Sequence, residues 1–181
     1  MHDDRLTAFG LFSEAFTGLT SRFAVQLAEH GLASVEFEVL IRLARSPGRQ
    51  LRMTDLSSQT SLTTSGVTRV VDRLERDGLV SRHPCGTDRR ISYAVITDAG
   101  ADRLNNVLPG HLAMIEQWFT GRLDPDQLAE FTRALRTMRD TVRPGAVAGA
   151  DARPVTDTTA YVDPQAPRAS SHADPQVSRA S

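Results

Sequence analysis

Two arginines follow an aspartate in a short turn between two runs of β-forming residues. The turn is Asp88-Arg89-Arg90, within RHPCGTDRRISYAVIT at 82–97. Gly86-Thr87-Asp88 would make a turn without any arginine, so the arginine pair needs another explanation. An arginine at a hairpin tip can enter a narrow A·T-rich minor groove, where the negative potential is enhanced, and the neighbouring carboxylate can hold the guanidinium in one pose. The turn therefore indicates a contact with DNA.

The segment before this turn predicts a helix whose exposed face also suits DNA. It reads TTSGVTRVVDRLERDG, with Thr63 as the N-cap, a buried stripe of valines and Leu74, and Gly78 at the C-terminal end. The opposite face carries hydroxyl and charged side chains, namely Thr64, Ser65, Thr68, Arg69, Asp72, Arg73 and Arg76. Hydroxyls at a helix N-terminus suit phosphate and base-edge contacts, and Arg69 can reach a guanine edge or a phosphate. An ordinary solvated face is the alternative.

The hydrophobic pattern predicts the elements that position these two features. Phenylalanine and leucine recur every three or four residues over 4–30, and a second helix starts at Ser34, which can cap it, and stops at the SPG of 46–48. A short helix at about 54–60 precedes the helix of 64–77, and two strands at about 79–83 and 91–96 enclose the turn. Thr97 caps a long helix in which Pro109-Gly110 predicts either a kink or a division into two helices. A last helix runs to about 142.

A short helix, a break, a longer helix and a two-stranded hairpin follow one another in a winged helix-turn-helix. We therefore predict a mostly helical α+β fold, with this DNA-binding domain over 34–97. The flanking segments, 1–33 and 98–142, carry more apolar residues than a lone winged domain needs, and a two-fold interface would bury them. From 143 to 181 the chain is rich in Pro, Ala, Ser, Asp and Thr and is predicted to be a disordered tail.

Composition narrows the class of protein. The single cysteine, Cys85, cannot form an intrachain disulfide, and neither a signal peptide nor a membrane-spanning stretch is readable, so we expect a cytoplasmic protein. The net charge of −1 is unevenly distributed, because residues 49–90 carry a net +3. No phosphate-cradling glycine loop, nucleophile elbow or HExxH motif is present, and the chain contains no lysine. We expect neither an enzyme nor a cofactor.

The stretch LTTSGVTRVVDRLERDGLVSRHPCGTDRRISYAVITDAG resembles the signature region of the MarR family of bacterial transcriptional regulators, whose wing carries D-x-R. The likeness extends over roughly residues 5–142. It implies a homodimer in which the first helix and the last two interlock, and two winged domains that read a palindromic operator in double-stranded DNA.

Within that family, VEFEVL and VLPGHLA are similar to the branch that responds to urate or related organic acids. The resemblance implies a ligand site at Glu38, Arg69 and Arg82, with Arg22 as a further candidate. The N-terminal tryptophan of that branch has no counterpart here, since the only tryptophan is Trp118. Because arginines bind carboxylates through a bidentate fork, an aconitate- or citrate-like acid is the expected effector of a repressor.

Three alternatives stay open. Cys85 lies near several cationic residues that would lower the pKa of its thiol, which would make it a redox switch. His83, Cys85 and Asp88 could ligate a metal, although their spacing matches no strong zinc pattern. A winged helix that binds proteins rather than DNA is the third alternative, and it would lack salt-dependent duplex binding.

Overall fold

The computed structural model describes residues 3–86, 88 and 90–146. Its helices are α1 (Asp4–Glu29), α2 (Ser34–Ala44), α3 (Met53–Gln59), α4 (Thr64–Arg76), α5 (Asp98–Trp118) and α6 (Pro125–Val142). Its strands are β1 (Gln50–Arg52), β2 (Val80–Pro84) and β3 (Ser92–Ile96), and short 3-10 turns lie at Pro47–Arg49 and Thr120–Arg122. The predicted mostly helical winged fold is confirmed.

The hairpin of β2 and β3 is antiparallel, with Val80 opposite Ile96 and Pro84 opposite Ser92. Strand β1, which the sequence pattern does not predict, pairs antiparallel with the other edge of β3 and completes a three-stranded sheet in the order β1-β3-β2. A three-residue strand is too short to show an alternating pattern, so pairing with β3 rather than local sequence defines it.

Two helix details differ from the prediction. Ala33, not Ser34, is the N-cap of α2, because the Glu36 carboxylate accepts a hydrogen bond from the Ala33 N–H at 2.9 Å and takes over the capping role. The division of the long helix into two is also wrong: α5 continues through Pro109 as one helix.

One hydrophobic core joins the winged domain to the long helices. Its fully buried side chains come from all helices except α6 and from the sheet, and they include Leu27, Leu40, Leu43, Leu56, Val71, Leu74, Val80 and Val107. Burying each of these side chains contributes about 1.5–3 kcal/mol. Since α1 and α5 contribute to the same core as α4, the orientation of α4 depends on the long helices.

Outside this core, the long helices expose large apolar side chains. In α1 the predicted stripe is buried only at Leu27, whereas Leu6, Phe9, Phe12 and Phe16 are exposed. Further along the chain, Leu112, Phe131, Met138 and Val142 are also exposed, and α6 has no buried residue. The predicted boundaries of these helices are close to those observed, but within one chain much of their apolar surface has no cover. No described helix has the length and hydropathy needed to cross a membrane.

Candidate nucleic-acid interface

Helix α4 is fixed at its N-terminus by the predicted cap. The Thr63 hydroxyl accepts a hydrogen bond from the Gly66 N–H at 3.1 Å, which satisfies one of the donors that a helix start leaves free. Its predicted apolar stripe is buried as a whole: Val67, Val70, Val71 and Leu74. The helix therefore turns its polar face outward.

That outward face carries the predicted hydroxyl and arginine groups. Thr64, Ser65, Thr68 and Arg69 are all exposed. Two of these hydroxyls make local contacts: Thr64 Oγ1 lies 3.4 Å from Ser57 Oγ on α3, and Thr68 Oγ1 donates to the Thr64 carbonyl at 3.0 Å. The surface of α4 thus combines a helix N-terminus, short polar groups and a cation, which are the groups that bind phosphate and base edges.

Arg73 on α4 forms an ion pair with a residue of α2. Its Nε lies 2.9 Å from the Glu36 carboxylate, and the Glu36 side chain is only 14% exposed. The ion pair ties α4 to α2 and restricts the Arg73 side chain to one direction. The sequence does not predict this role of Glu36, because one glutamate in a helix carries no signal of its partner across the fold.

The turn between β2 and β3 is closed by its own backbone and by one carboxylate. Cys85 N–H donates to the Ile91 carbonyl at 2.9 Å, and Ile91 N–H donates to the Asp88 carbonyl at 3.0 Å. Asp88 Oδ1 accepts from the Arg90 backbone N–H at 2.9 Å. The carboxylate therefore fixes the Arg90 main chain rather than its guanidinium, and Arg90 itself is exposed. Arg89, also predicted to contact DNA, lies outside the described residues.

Arg82 lies at the base of the hairpin and faces α4. Its Nη2 is 2.5 Å from Asp72 Oδ1 and donates to the Thr68 carbonyl at 3.2 Å, and its Nη1 is 3.7 Å from Glu75 Oε2. Two carboxylates thus surround one guanidinium. Asp72 and Glu75 are three residues apart on α4, so their shared face was readable from the sequence, whereas their partner in the hairpin was not.

The other predicted ligand residues lie apart from one another. Glu38 accepts a hydrogen bond from Ser61 Oγ at 3.1 Å and lies 4.0 Å from Arg42. Arg22, on α1, stacks over the Trp118 ring with its guanidinium carbon 4.1 Å from the ring centroid. Among the contacts of the described residues, none joins Glu38, Arg22 or Arg69 to Arg82. The only tryptophan, although distant in sequence, is therefore brought to α1 by the fold.

The surroundings of Cys85 and His83 bear on the redox-switch and metal-site alternatives. The Cys85 side chain is 5% exposed, and a reactive thiol needs access to its oxidant. His83 Nε2 lies 3.0 Å from Ser81 Oγ on the same strand. In the described parts of the chain, no group of three or more His, Cys, Asp or Glu side chains is arranged to hold a metal ion.

Comparison with known proteins fits this geometry. A sequence profile of the MarR family matches residues 30–91. The transcriptional regulator MhqR of Bacillus subtilis is 32% identical over 117 residues, which is 65% of this chain and 79% of that protein. The chain belongs to the MarR family of transcriptional regulators.

Solved structures of MarR regulators have the same fold. AbsC of Streptomyces coelicolor superposes with a TM-score of 0.74 at 30% identity, covering 80% of this chain and 97% of AbsC. Sco3205 of the same organism, solved in complex with DNA, gives a TM-score of 0.74 at 32% identity, covering 80% of this chain and 91% of Sco3205. MarR regulators are DNA-binding proteins without enzymatic activity, and this chain is a DNA-binding transcriptional regulator of that kind.

Proposed function

We propose that the protein is a repressor that binds a palindromic operator as a homodimer and releases it when a small organic anion binds. The observation that carries the proposal is the joint exposure of the α4 face and the Arg90 turn, with the α4 N-terminus capped by Thr63. In a winged helix-turn-helix, a helix in this position enters the major groove and the hairpin reaches the neighbouring minor groove or backbone.

In this proposal, each DNA-contacting residue has a stated role. Thr64, Ser65 and Thr68 bind phosphate or base edges at the start of α4, and Arg69 reaches a guanine edge or a phosphate. Arg73, held by Glu36, binds backbone phosphate. At the hairpin tip, Arg90 enters the minor groove with Arg89 beside it, and Asp88 shapes the turn.

The exposed apolar faces of α1, α5 and α6 support a homodimer. Phe9 is 70% exposed and Val142 is 74% exposed, and contiguous apolar surface of this kind marks an interaction site. A two-fold contact between these helices would bury both faces at once and place two α4 helices about one DNA turn apart. The two-fold symmetry of such a dimer calls for a palindromic operator.

For the effector, we propose a di- or tricarboxylate such as aconitate or citrate. The supporting observation is that Arg82 already contacts two carboxylates, Asp72 and Glu75, with separate nitrogens. A polycarboxylate presents the same groups, and Arg69, on the neighbouring exposed face, offers a second fork. Glu38 belongs to the proposed site through the family resemblance. Arg22 is a separate candidate beside Trp118.

The test is an anisotropy assay with DNA from upstream of the protein's own gene. We expect salt-dependent, sequence-specific binding that weakens when citrate or cis-aconitate is added, and no loss of binding with peroxide, since Cys85 is buried. Binding without salt dependence would contradict the DNA-binding roles and favour a protein-binding wing. Release by peroxide that is abolished in Cys85→Ser would favour the redox alternative.

A further inference from the structure

Helix α4 carries two carboxylates that, taken alone, oppose its function. Asp72 and Glu75 lie on the helix that approaches a polyanion, and their side chains are 53% and 42% exposed. A carboxylate near DNA phosphate is repelled, so removing one would ordinarily strengthen binding. A contact of Asp72 and Glu75 that favours DNA binding would have to outweigh this repulsion.

Arg82 of β2 supplies such a contact, because it binds both carboxylates and the α4 backbone. In addition to the side-chain contacts described above, the Arg82 backbone N–H donates to Glu75 Oε1 at 3.2 Å. The Arg82 side chain is only 28% exposed, and its Nε is buried without a hydrogen-bond partner. The guanidinium is thus enclosed between the hairpin and α4 and joins the two.

Because Arg82 lies below the turn, a small rotation of the hairpin at this contact displaces the hairpin tip. Arg82 pairs with Ala94 near the start of the hairpin, and Asp88 comes six residues later. The three residues from Arg82 to Cys85, whose N–H meets the Ile91 carbonyl, span about 10 Å at about 3.3 Å per residue. A rotation of about 15° at the base therefore moves this end of the hairpin by about 3 Å, and the tip beyond it by more. A displacement of that size would remove Arg90 from hydrogen-bond range of a groove.

We propose that Arg82, Asp72 and Glu75 form a latch that sets the position of the hairpin relative to α4, and that Asp72 and Glu75 are positioning residues for DNA binding. The latch makes α4 and the hairpin bind as one rigid surface, and its single positive charge offsets part of the repulsion between the two carboxylates and phosphate. The inference rests on the proposed contact of the hairpin with DNA, and it does not depend on any effector.

The decisive variant is Asp72→Asn, because the latch and simple electrostatics predict opposite signs. Loss of a negative charge alone would tighten DNA binding, whereas loss of the latch weakens it by about tenfold. The matched control is Asp77→Asn at the C-cap that follows α4, which removes the same charge from an exposed residue paired with Arg76. We expect the control to bind DNA as tightly as the unmodified protein, or slightly more tightly.

A second readout separates positioning from a general loss of structure. Hydroxyl-radical footprints of Asp72→Asn should lose protection of the sugars at the minor-groove flanks and retain it on the backbone beside the α4 site. The slope of log K against log salt should become shallower because fewer phosphates are contacted. The melting temperature should change little, since Asp72 is half-exposed. In Asp72→Asn with Arg82→Gln, binding should be no weaker than in Arg82→Gln alone.

Arg90→Ala, measured in the same assays, tests the hairpin contact itself. If Arg90→Ala weakens binding and Asp72→Asn does not, the latch is wrong and the hairpin contact stands. If Arg90→Ala has no effect, the hairpin contact is wrong and the latch falls with it. Unchanged or tighter binding by Asp72→Asn overturns the latch in either case.

Discussion

The guanidinium of Arg143 donates to the main-chain carbonyl of Thr60, so the chain that leaves α6 is tied to the end of α3. The same Nη2 lies 3.5 Å from the Ser58 carbonyl, and Ala146 is 7% exposed. The last carbonyls of a helix carry partial negative charge, and a cation there is stabilising. The first residues after α6 therefore pack against the helix-turn-helix.

Because Arg143 contacts α3, deleting the predicted tail with or without residues 143–146 should change stability by different amounts. Deleting 147–181, which lie outside the described residues, should leave the melting temperature and DNA affinity nearly unchanged, because their composition cannot bury a core. Deleting 143–181 should lower the melting temperature by a few degrees, since it removes the contact to α3, worth about 1 kcal/mol.

Calorimetry on the two truncations and on Arg143→Ala tests this difference. Arg143→Ala should reproduce most of the loss seen when 143–181 are removed. Equal melting temperatures for all three variants would show that the Arg143 contact contributes nothing measurable.

Arg90→Ala should weaken operator binding by about tenfold or more, because an arginine in a narrow minor groove gains from its enhanced potential. Asp88→Ala should lose less, since its carboxylate holds the Arg90 backbone rather than the guanidinium. Anisotropy at low and moderate salt measures the affinity of both variants, and sedimentation checks that the proposed homodimer is intact. Unchanged affinity of Arg90→Ala at both salt concentrations would exclude the minor-groove role.

The sequence predicted helix α4 and the β2–β3 hairpin well because their signals are local. The cap at Thr63, the valine stripe and the β-forming runs around the turn each depend on residues within a few positions of one another. Ion pairs between elements, such as Arg73 with Glu36 and Arg82 with Asp72, depend on the packing of α4 against its neighbours. No sequence spacing encodes them.

The stripe of α1 shows a different limit of sequence reasoning. The spacing of Phe9, Phe12 and Phe16 predicts a helix with one apolar face, and the helix forms. Spacing does not say what covers that face, and within the chain these three side chains stay exposed. Cover from a second copy depends on the shape of the whole surface, which local periodicity does not describe.

Gly100→Ala should destabilise the fold by about 1–3 kcal/mol, as expected for an overpacked site. A Cβ at this position would lie 2.1 Å from the Leu79 carbonyl oxygen and 2.8 Å from Ile96 Cγ1. Backbone at the junction of α4 and β2 would have to move, so DNA affinity should fall as well.

Gly10→Ala is the control, because nothing lies within 4 Å of its Cβ, and a helical Gly→Ala change typically stabilises by about 0.5–1 kcal/mol. Denaturant unfolding measures both; a neutral Gly100→Ala would show that the junction can shift freely.

His111 should make stability depend on pH. Burial lowers the pKa of His111 below 6.5. The centroid of its ring lies 5.0 Å from that of Phe23 and 4.6 Å from that of Phe37. Its Nδ1 lies 3.2 Å from Gln26 Oε1. The unfolded chain therefore binds a proton that the folded chain excludes, and the free energy of unfolding should fall as the pH drops below about 6.5.

His111→Gln should show a weaker fall in melting temperature over that pH range. His30→Gln, which changes an exposed histidine at the end of α1, serves as the control and should keep the full dependence. An identical pH profile in all three proteins would assign the acid sensitivity to other groups.

Effector and DNA should oppose each other by the same factor if the proposed anion site is right. A carboxylate that binds Arg69 and Arg82 competes with phosphate for Arg69 and with Asp72 for Arg82. Linkage then requires that citrate weaken DNA binding and that DNA weaken citrate binding equally, with a coupling of about 1–3 kcal/mol.

Arg82→Lys is the informative variant, because it keeps a positive charge beside Asp72 but loses the bidentate fork. It should retain more DNA affinity than Arg69→Ala and lose most of the citrate response. A normal citrate response in Arg82→Lys would place the effector elsewhere, and the Arg22–Trp118 pair on α1 and α5 would be probed next, through the fluorescence of the only tryptophan.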